Sequence, residues 1–259
     1  MTDRIHRSKP LTSGIGIYAV KAGKPCLLSV QISIVTTSAD TGANFTGGAG
    51  ADVFNAQLGT VGSNATVVNS LQIFDSIDGA GGINTLNAVL SASVTPQALN
   101  NIQVINASAT GNSTLNLTNA ASVTTVTNLA SAAELIVSNL AATATTLSVL
   151  DASPGADTTF AYASTTGTQT VGLTVDGLST LAGNSPDTSA VTIAGIETIN
   201  LATSGAASTF TLTADAATTV NITGAQNLTL AGTAVATAIN ASNFTGTLTT
   251  ALTVAGVLD

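Results

Sequence analysis

Short runs in which apolar and polar residues alternate recur along the chain from about Val35 onward. They begin roughly every 8–14 residues, and small and polar residues separate them. A period of two predicts β-strands, and Thr or Val at most outer positions agrees with that. The predicted strands are Thr85–Leu90, Ile102–Asn106, Thr114–Leu117, Ser122–Val126, Glu134–Val137, Thr146–Leu150, Thr170–Val175, Ala190–Ile193, Glu197–Leu201, Thr209–Thr213, Thr218–Ile222, Asn227–Leu230 and Thr249–Val254.

Many short strands fit a sandwich, a barrel or a solenoid. Sandwiches usually carry aromatic core residues and hairpin turns, but here aromatics make up 3% of the chain, and Asp78-Gly79 and Asp176-Gly177 are the only Asp-Gly or Asn-Gly pairs. A parallel β-helix needs no hairpins and stacks similar coils about 4.8 Å apart. The sequence therefore predicts an all-β solenoid of short Thr/Val/Ala-rich strands, about 50 Å long at roughly 20 residues per turn.

Asparagines recur near the ends of the predicted strands. In stacked coils they could form side-chain ladders, or they could simply tolerate turns. These asparagines are Asn106, Asn119, Asn128, Asn139, Asn200 and Asn240. One short helical turn is predicted at Pro96–Leu99, with Thr95 as its N-cap.

Charge is distributed unevenly. The net charge is −8, and all five basic residues precede Pro25. The remainder has no basic patch for phosphates, which argues against nucleic-acid binding, and its negative surface would attract divalent cations. No apolar run approaches the roughly 18 residues of a membrane helix. Cys26 is the only cysteine, so a disulfide within one chain is excluded.

The N-terminal segment, residues 1–34, differs from the rest, since it holds every basic residue, His6 and Cys26. A secretory signal needs a longer apolar stretch than Leu11–Val20, which Ser13, Gly14 and Gly16 interrupt. We therefore expect residues 1–34 to be an atypical leader, which is either disordered or translated from a wrongly assigned reading frame. An export signal is the alternative. Residues 35–259 form the predicted solenoid domain.

Gly47–Asn55 fits the nonapeptide G-G-x-G-x-D-x-U-x, where U is a large apolar residue. Its glycines allow a tight turn with inward carbonyls, and carbonyls with carboxylates are what Ca²⁺ prefers. We therefore expect Gly47, Gly48, Gly50 and Asp52 to bind calcium. The alternative is that Asp52 only makes a bend.

A weaker copy of the nonapeptide follows at Gly79–Asn87. Ala80 replaces the second glycine and Asn84 replaces the aspartate. Asn84 retains an oxygen ligand without the charge, and Asp78 could restore a carboxylate, although a plain turn is favoured for Asn84. Other candidate carboxylates are Asp40 and Asp75, which flank the turns, and Asp151 and Asp157, which lack the nonapeptide spacing.

The composition argues against an enzyme. Lyases built on β-helices need an Arg or Lys base, which the strand region lacks, and a Ser or Cys nucleophile would need a general base. His6 lies outside the repeats. Glu134 and Glu197 begin strands, where we expect solvated charges that limit aggregation, or calcium ligands as the alternative.

Phe45–Asp52 resembles the calcium-binding repeat of RTX proteins. Gly82–Asn87 followed by Leu99–Asn106 is similar to a unit of bacterial RTX-type S-layer proteins. In this first copy Asn101 and Gln103 replace the Gly and Glu of the unit. Gly195–Leu201 matches the second half of the unit closely. The resemblance implies a calcium-dependent solenoid that is secreted to the bacterial cell surface and acts as a structural lattice protein or adhesin. Further repeats would be expected after Asp259, so it also implies a fragment or a degenerate member.

Two other functions fit the same residues. A Thr-rich face could bind ice or a cell-surface polysaccharide without calcium, although Thr209–Thr213, Thr247–Thr249 and Thr125–Thr127 show no fixed spacing. The chain could also be an inert fragment. Self-association would fit either the structural or the inert alternative, because an open solenoid end tends to pair with itself.

Overall fold

A computed structural model describes residues 31–34, 44–61, 63–142, 144–179, 188–234, 238–253 and 257–258. Most of the predicted leader lies outside the described residues, as does Asp40. The end of the leader, residues 31–34, forms the first strand, which pairs in parallel with the third. Within the described ranges the chain consists of strands and turns, so no helix there could cross a membrane.

The strands are short, and most follow the alternating runs predicted from the sequence. They are β1 (Gln31–Ile34), β2 (Asn44–Thr46), β3 (Val53–Ala56), β4 (Leu58–Val61), β5 (Thr66–Asn69), β6 (Ser76–Asp78), β7 (Thr85–Leu90), β8 (Ala98–Asn100), β9 (Val104–Ala109), β10 (Ser113–Asn116), β11 (Thr125–Leu129), β12 (Leu135–Leu140), β13 (Thr146–Leu150), β14 (Thr158–Tyr162), β15 (Thr170–Asp176), β16 (Ala190–Ile193), β17 (Thr198–Thr203), β18 (Ser208–Ala214), β19 (Thr219–Gly224), β20 (Leu228–Ala234), β21 (Ala238–Asn240), β22 (Leu248–Thr253) and β23 (Val257–Leu258).

The strands form a parallel β-solenoid, which confirms the predicted fold. An eleven-stranded sheet takes the odd-numbered strands except β5, a seven-stranded sheet takes the even-numbered strands from β10 to β22, and β2, β6 and β8 form a third sheet. Strands adjacent in sequence, such as β9 and β10, therefore lie in different sheets. Eleven strands about 4.8 Å apart make a stack of about 50 Å.

The coils of the solenoid differ in length because the loops that connect successive strands differ in size. Thr85 pairs with Val104, and Val104 pairs with Thr125, so these two turns are short and nearly equal. Thr170 pairs with Thr198, and this turn is clearly longer. The period predicted from the sequence therefore describes the short turns, and the longer ones carry insertions.

The core consists of apolar side chains stacked in columns along the solenoid. Alternate residues of each strand point inward, as the burial of β7 and β9 shows. One column of the eleven-stranded sheet runs through seven consecutive strands, and each member is at most 1% exposed; it contains Leu86, Ile105, Val126, Leu147, Leu173, Leu201 and Ile222. Each such side chain contributes about 1.5–3 kcal/mol when buried.

Asparagine ladders form, but only some of the predicted residues take part. Asn106 donates to Asn87 over 2.9 Å, and Asn87 donates to Asn55 over 2.8 Å. The side chains of Asn200 and Asn139 likewise bond to Asn221 and Asn116. Asn128 is instead fully buried in the core, where it bonds to Thr158 and Ser131.

Two local features differ from the sequence-based expectations. Pro96–Leu99 is not a helical turn, because Ala98 and Leu99 extend into β8, whose pairing with β6 supplies the hydrogen bonds that a helix would need. β4 and β5 form an antiparallel hairpin that the sequence analysis missed. The hairpin lacks an Asn-Gly or Asp-Gly turn, so the usual signal was absent.

Candidate functional site

The two glycine-rich turns lie one above the other, because β2 and β6, the strands that lead into them, pair in register. The Gly47 N–H donates to the Asp78 carbonyl over 2.7 Å, and the Gly81 N–H donates to the Gly48 carbonyl over 3.0 Å. A third turn below them continues the stack, since the Gly79 N–H donates to the Asn100 carbonyl. The sequence-predicted ligand residues are therefore neighbours in two consecutive coils.

Asp52 closes the first turn from the inside. Its carboxylate is fully buried, and its Oδ2 accepts a 2.7 Å hydrogen bond from the Gly48 N–H. A Cβ at Gly47 would overlap the same oxygen, so the turn needs glycine there. The nonapeptide therefore has a structural reason for its first glycine that does not involve a metal.

Asn84 has the same place in the second turn. It is also fully buried, and its Nδ2 donates to the Asn101 carbonyl over 2.8 Å. A Cβ at Gly79 would overlap that nitrogen. The replacement of aspartate by asparagine thus changes the interaction from a carboxylate accepting an N–H to an amide donating to a carbonyl.

Asp52, Asn84 and Gln103 form a column of side chains that links three coils. The Asp52 N–H donates to Asn84 Oδ1, and the Asn84 N–H donates to Gln103 Oε1, each over 2.8 Å. A similar bond joins the Gln169 N–H to Glu197 Oε2 over 2.6 Å, so Glu197 is more than a solvated charge. These side-chain oxygens satisfy backbone donors between coils.

Asp78 lies at the outer side of the second turn. Its Oδ1 accepts hydrogen bonds from Asn101 Nδ2 over 2.8 Å and from the Ala80 N–H over 2.9 Å. The Asn101 bond, followed by the Ala80 bond, lowers the pKa of the Asp78 carboxyl below its ordinary value. Asp78 is therefore ionised at neutral pH.

The donor set of the stacked turns is rich in oxygen and poor in carboxylates. Among the described residues no three His, Cys, Asp or Glu side chains come together as a metal-binding group. A cation here would rely on Asp52 and Asp78 together with turn carbonyls and the Asn84 amide. Such a mixture suits Ca²⁺, which takes 6–8 oxygens in flexible geometry.

Two of the other candidate carboxylates, Asp75 and Asp157, accept hydrogen bonds from nearby backbone. Asp75 is fully buried and accepts the Gln72 N–H over 2.7 Å. Asp157 accepts the Ala190 N–H of the next coil over 2.8 Å, whereas Asp151 is exposed with a positive φ of 53°. Glu134 is half-buried at the start of β12.

Asp176 makes an aspartate–glycine contact that sequence analysis missed. Its Oδ1 accepts the Ala206 N–H over 2.7 Å, and a Cβ at Gly205 would overlap its carboxylate. The partners belong to successive coils and are far apart in sequence, so no nonapeptide could show them. The positive φ of Gly205, 51°, is the local sign of this turn.

The outer face of the seven-stranded sheet carries threonines in register. Thr209, Thr229 and Thr249 form one column, although the sequence had indicated no fixed spacing among the Thr-x-Thr runs. Thr213, Thr233 and Thr253 occupy the register of a second column, and Ala231 and Ala251 stand between the two. Thr125–Thr127 does not share this face, because β11 belongs to the eleven-stranded sheet.

The threonine columns give this face a regular spacing. Neighbours within a column lie about 4.8 Å apart, and the registers of the two columns, four residues apart along each strand, lie about 13 Å apart. Thr229 and Thr249 are exposed, and Thr209 is half-buried. The face therefore presents repeated hydroxyl and methyl groups without charge at these positions.

Comparison of the chain with protein-family models, curated proteins and solved structures finds no match in any of the three.

Proposed function

We propose that this chain is a structural, calcium-binding β-solenoid of a secreted or surface-layer protein of the RTX kind at a bacterial cell surface. The observation that carries the proposal is the stacking of the two glycine turns. It brings the Asp52 carboxylate, the Asn84 amide and the carbonyls of Gly47, Gly48 and Gly50 into two consecutive coils. Asp78, ionised at the rim, supplies a second carboxylate.

Calcium at these turns would stabilise the stack of coils. It would offset the negative charge that Asp52 and Asp78 bring to adjacent turns, and a ligand that binds only the folded chain stabilises folding. At 100 times its dissociation constant such a ligand contributes about 2.7 kcal/mol. The net charge of −8 also raises the local concentration of divalent cations.

The same chemistry supports an extracellular location as part of the proposal. Extracellular calcium modules have dissociation constants of about 10⁻⁴–10⁻³ M, which suits a site with two carboxylates. A site of this affinity would fill outside the cell and stay empty in the cytosol, so folding would follow export. The partners on this account are calcium ions, further copies of the solenoid and cell-surface polysaccharide.

Calcium-dependent unfolding tests the proposal. Thermal unfolding followed by circular dichroism, with about 10 mM calcium or with chelator, should show a higher midpoint in calcium. Asp52→Asn keeps the shape of the side chain and removes its charge, so it should abolish most of this gain. Asp215→Asn is the matched control, because Asp215 is an exposed carboxylate that accepts the Gly195 N–H in a distant turn.

The control should retain the full calcium effect, and magnesium should not replace calcium, because it demands near-ideal octahedral geometry. Coincident curves with calcium and with chelator would refute a calcium site. An equal loss of the gain in Asp215→Asn would show that calcium acts only through net charge.

A second candidate function is adhesion through the threonine columns, without calcium. The register of Thr209, Thr229 and Thr249 favours it, because a flat lattice of hydroxyls matches a repetitive neutral surface such as a polysaccharide or ice. Thr229→Lys places a long charged side chain in the middle of this lattice. Thr174→Lys, at a half-buried position on the outer face of the eleven-stranded sheet, is its control.

Sedimentation with insoluble polysaccharide, and ice-recrystallisation assays, measure this second function. Binding that Thr229→Lys abolishes and Thr174→Lys preserves would support it. Absence of wild-type binding to either surface would leave calcium-dependent structure as the better account.

A further inference from the structure

The chain contains nine Asn-x-Ser/Thr tripeptides in which the middle residue is not proline. This is the acceptor pattern for N-linked glycosylation, in which the hydroxyl two residues after the asparagine takes part in recognition. The acceptor asparagines are Asn44, Asn64, Asn106, Asn112, Asn116, Asn221, Asn227, Asn240 and Asn243. In a chain rich in Asn, Thr and Ser many of these arise by composition, so the structure has to discriminate among them.

Several of these asparagines belong to the walls of the solenoid. Asn106 and Asn221 donate their side-chain nitrogen, the atom that a sugar would modify, to Asn87 and Asn200. Asn116 lies in β10 and accepts from Asn139. These inter-coil hydrogen bonds hold the three side chains against the neighbouring strand of a paired sheet.

The acceptor sites on turns are also held against neighbouring coils. Asn112 Oδ1 accepts the Glu134 N–H, and Asn227 Oδ1 accepts the Thr247 N–H. At the Asn243 site the Thr245 hydroxyl, which a transferase must recognise, donates to the Gly224 carbonyl over 3.2 Å. Asn240, the last residue of β21, is engaged locally instead: its Oδ1 accepts hydrogen bonds from the N–H and the hydroxyl of Ser242, so the hydroxyl of this site is already bonded.

Asn64 differs from the seven acceptor sites just described because it lies at the tip of the β4–β5 hairpin. Asn64, Ala65 and Thr66 are each exposed, and Ala65 has a positive φ of 48°. Neither Asn64 nor Thr66 forms a side-chain hydrogen bond to another described residue. Both the reacting amide and the recognised hydroxyl are therefore open to an enzyme.

The hairpin also stands off the solenoid wall. Thr66 and Val67 are exposed in succession, so β5 shows both of its faces to solvent at this end. A groove of about 590 Å³, lined by Val67, Val68, Ser93 and Val94, separates the hairpin from the coil beside it. A transferase can thus approach the tip without displacing a coil.

We propose that Asn64 is a glycosylation site, modified by a sugar from a glycosyl diphosphate donor. In the transfer the Asn64 side-chain nitrogen forms a bond to the anomeric carbon, and the bond from that carbon to the diphosphate oxygen breaks. The diphosphate leaves with the electron pair, and the amide loses one proton to a base of the transferase. The proposal goes beyond the calcium proposal and does not depend on it.

Peptide mass spectrometry of the chain isolated from its native cells tests the proposal. Because no Lys or Arg follows Lys24, trypsin cannot resolve the sites, but cleavage before aspartate releases residues 52–74 with Asn64 as their only acceptor site. The expected result is a mass increase of this peptide by whole sugar residues. The peptide that starts at Asp215, which carries Asn221, Asn227, Asn240 and Asn243, should stay unmodified.

Variants separate the acceptor site from general reactivity. Asn64→Gln and Thr66→Ala should each abolish the mass increase, whereas Thr66→Ser should retain it, because serine keeps the hydroxyl. Two fractions of the native cells distinguish the two sources of the sugar donor. One assay uses cytosol supplied with a nucleoside diphosphate sugar, and the other uses membranes with the lipid-linked sugars that they contain. An unmodified 52–74 peptide from native cells, or a modification that persists in Thr66→Ala, would overturn the proposal.

Discussion

The first coils and the later coils of the solenoid are joined in different ways. Between Gly47 and Gln103, the buried Asp52 side chain closes its own turn, and the buried Asn84 side chain bonds to the backbone of the coils on either side. From β17 to β22 strand pairing is supplemented by side-chain hydrogen bonds such as Asn200–Asn221 on an exposed face and those between the Thr203 hydroxyl and the Gln226 backbone, and no carboxylate closes a turn onto its own backbone there in the described bonds.

Coil length differs between the two regions as well. Val53 pairs with Thr85, and the long coil between them includes the β4–β5 hairpin. Thr198 pairs with Thr219 and Thr219 with Ala238, which makes two short coils of similar length. We infer that the side-chain locks hold the register of the early coils across a long insertion. In the later coils a regular coil length makes strand pairing the larger contribution to register.

The largest effect is expected in the apolar column that both regions share. Leu86→Ala in the first region and Leu201→Ala in the second should each lower the free energy of unfolding by about 2–5 kcal/mol, because each leaves a cavity in a fully buried column. Urea unfolding measures both. A cost below about 1 kcal/mol for either would mean that the column does not hold the coils of that region.

The glycine turn should be the next most sensitive feature. Gly47→Ala places a Cβ against Asp52 Oδ2 and 2.8 Å from the Gly79 carbonyl, so it should cost about 1–3 kcal/mol. Gly172→Ala is the control, since its Cβ meets only the Thr145 carbonyl, at 3.8 Å. The control should stay within about 0.5 kcal/mol of the wild type, and equal costs for the two variants would contradict a special role for the first turn.

The asparagine ladders should show the same regional contrast on a smaller scale. Asn87→Ala removes two half-buried hydrogen bonds, to Asn55 and Asn106, and should cost about 1–2 kcal/mol. Asn221→Ala removes one exposed bond and should cost less, because water replaces it. Chemical denaturation of both variants would contradict the contrast if Asn221→Ala proved the more destabilising.

The smallest effect is expected from the titration of Asp78. Because its pKa is lowered in the folded chain, its contribution to stability is present above the unfolded value of about 3.9 and is lost as the pH falls through the folded value. In Asp78→Asn the free energy of unfolding should therefore fall less steeply as the pH drops below about 4. An unchanged slope in this variant would mean that the Asn101 and Ala80 bonds do not favour the ionised form.

The alternating runs were enough to predict the solenoid, because every strand buries one face and stacks on its equivalent. All thirteen predicted strands overlap observed ones. The β4–β5 hairpin was missed because its turn lacks the usual residues, and Pro96–Leu99 was assigned to a helix because tertiary pairing of β8 overrides its local preference.

The candidate site was predictable only where its contacts are local. The nonapeptide located the Gly47–Asp52 turn, because Asp52 bonds to a residue four positions away. It could not show the bonds to Asn84 and Gln103, or the Asp176–Gly205 contact, because these depend on the length of each coil. The threonine columns were overlooked for the same reason, since register is fixed by pairing across coils.

Hydrogen exchange of the backbone amides, with and without calcium, can locate calcium stabilisation along the solenoid coil by coil. Local opening in repeat structures allows the first and later coils to be followed separately. If calcium binds at the stacked turns, it should slow exchange most within residues 47–55 and 79–87, above all at the Gly48 amide that donates to Asp52, and least within Thr198–Gly224. Exchange that calcium leaves unchanged in the first coils, or slows equally along the whole chain, would contradict a calcium-stabilised site at the stacked turns.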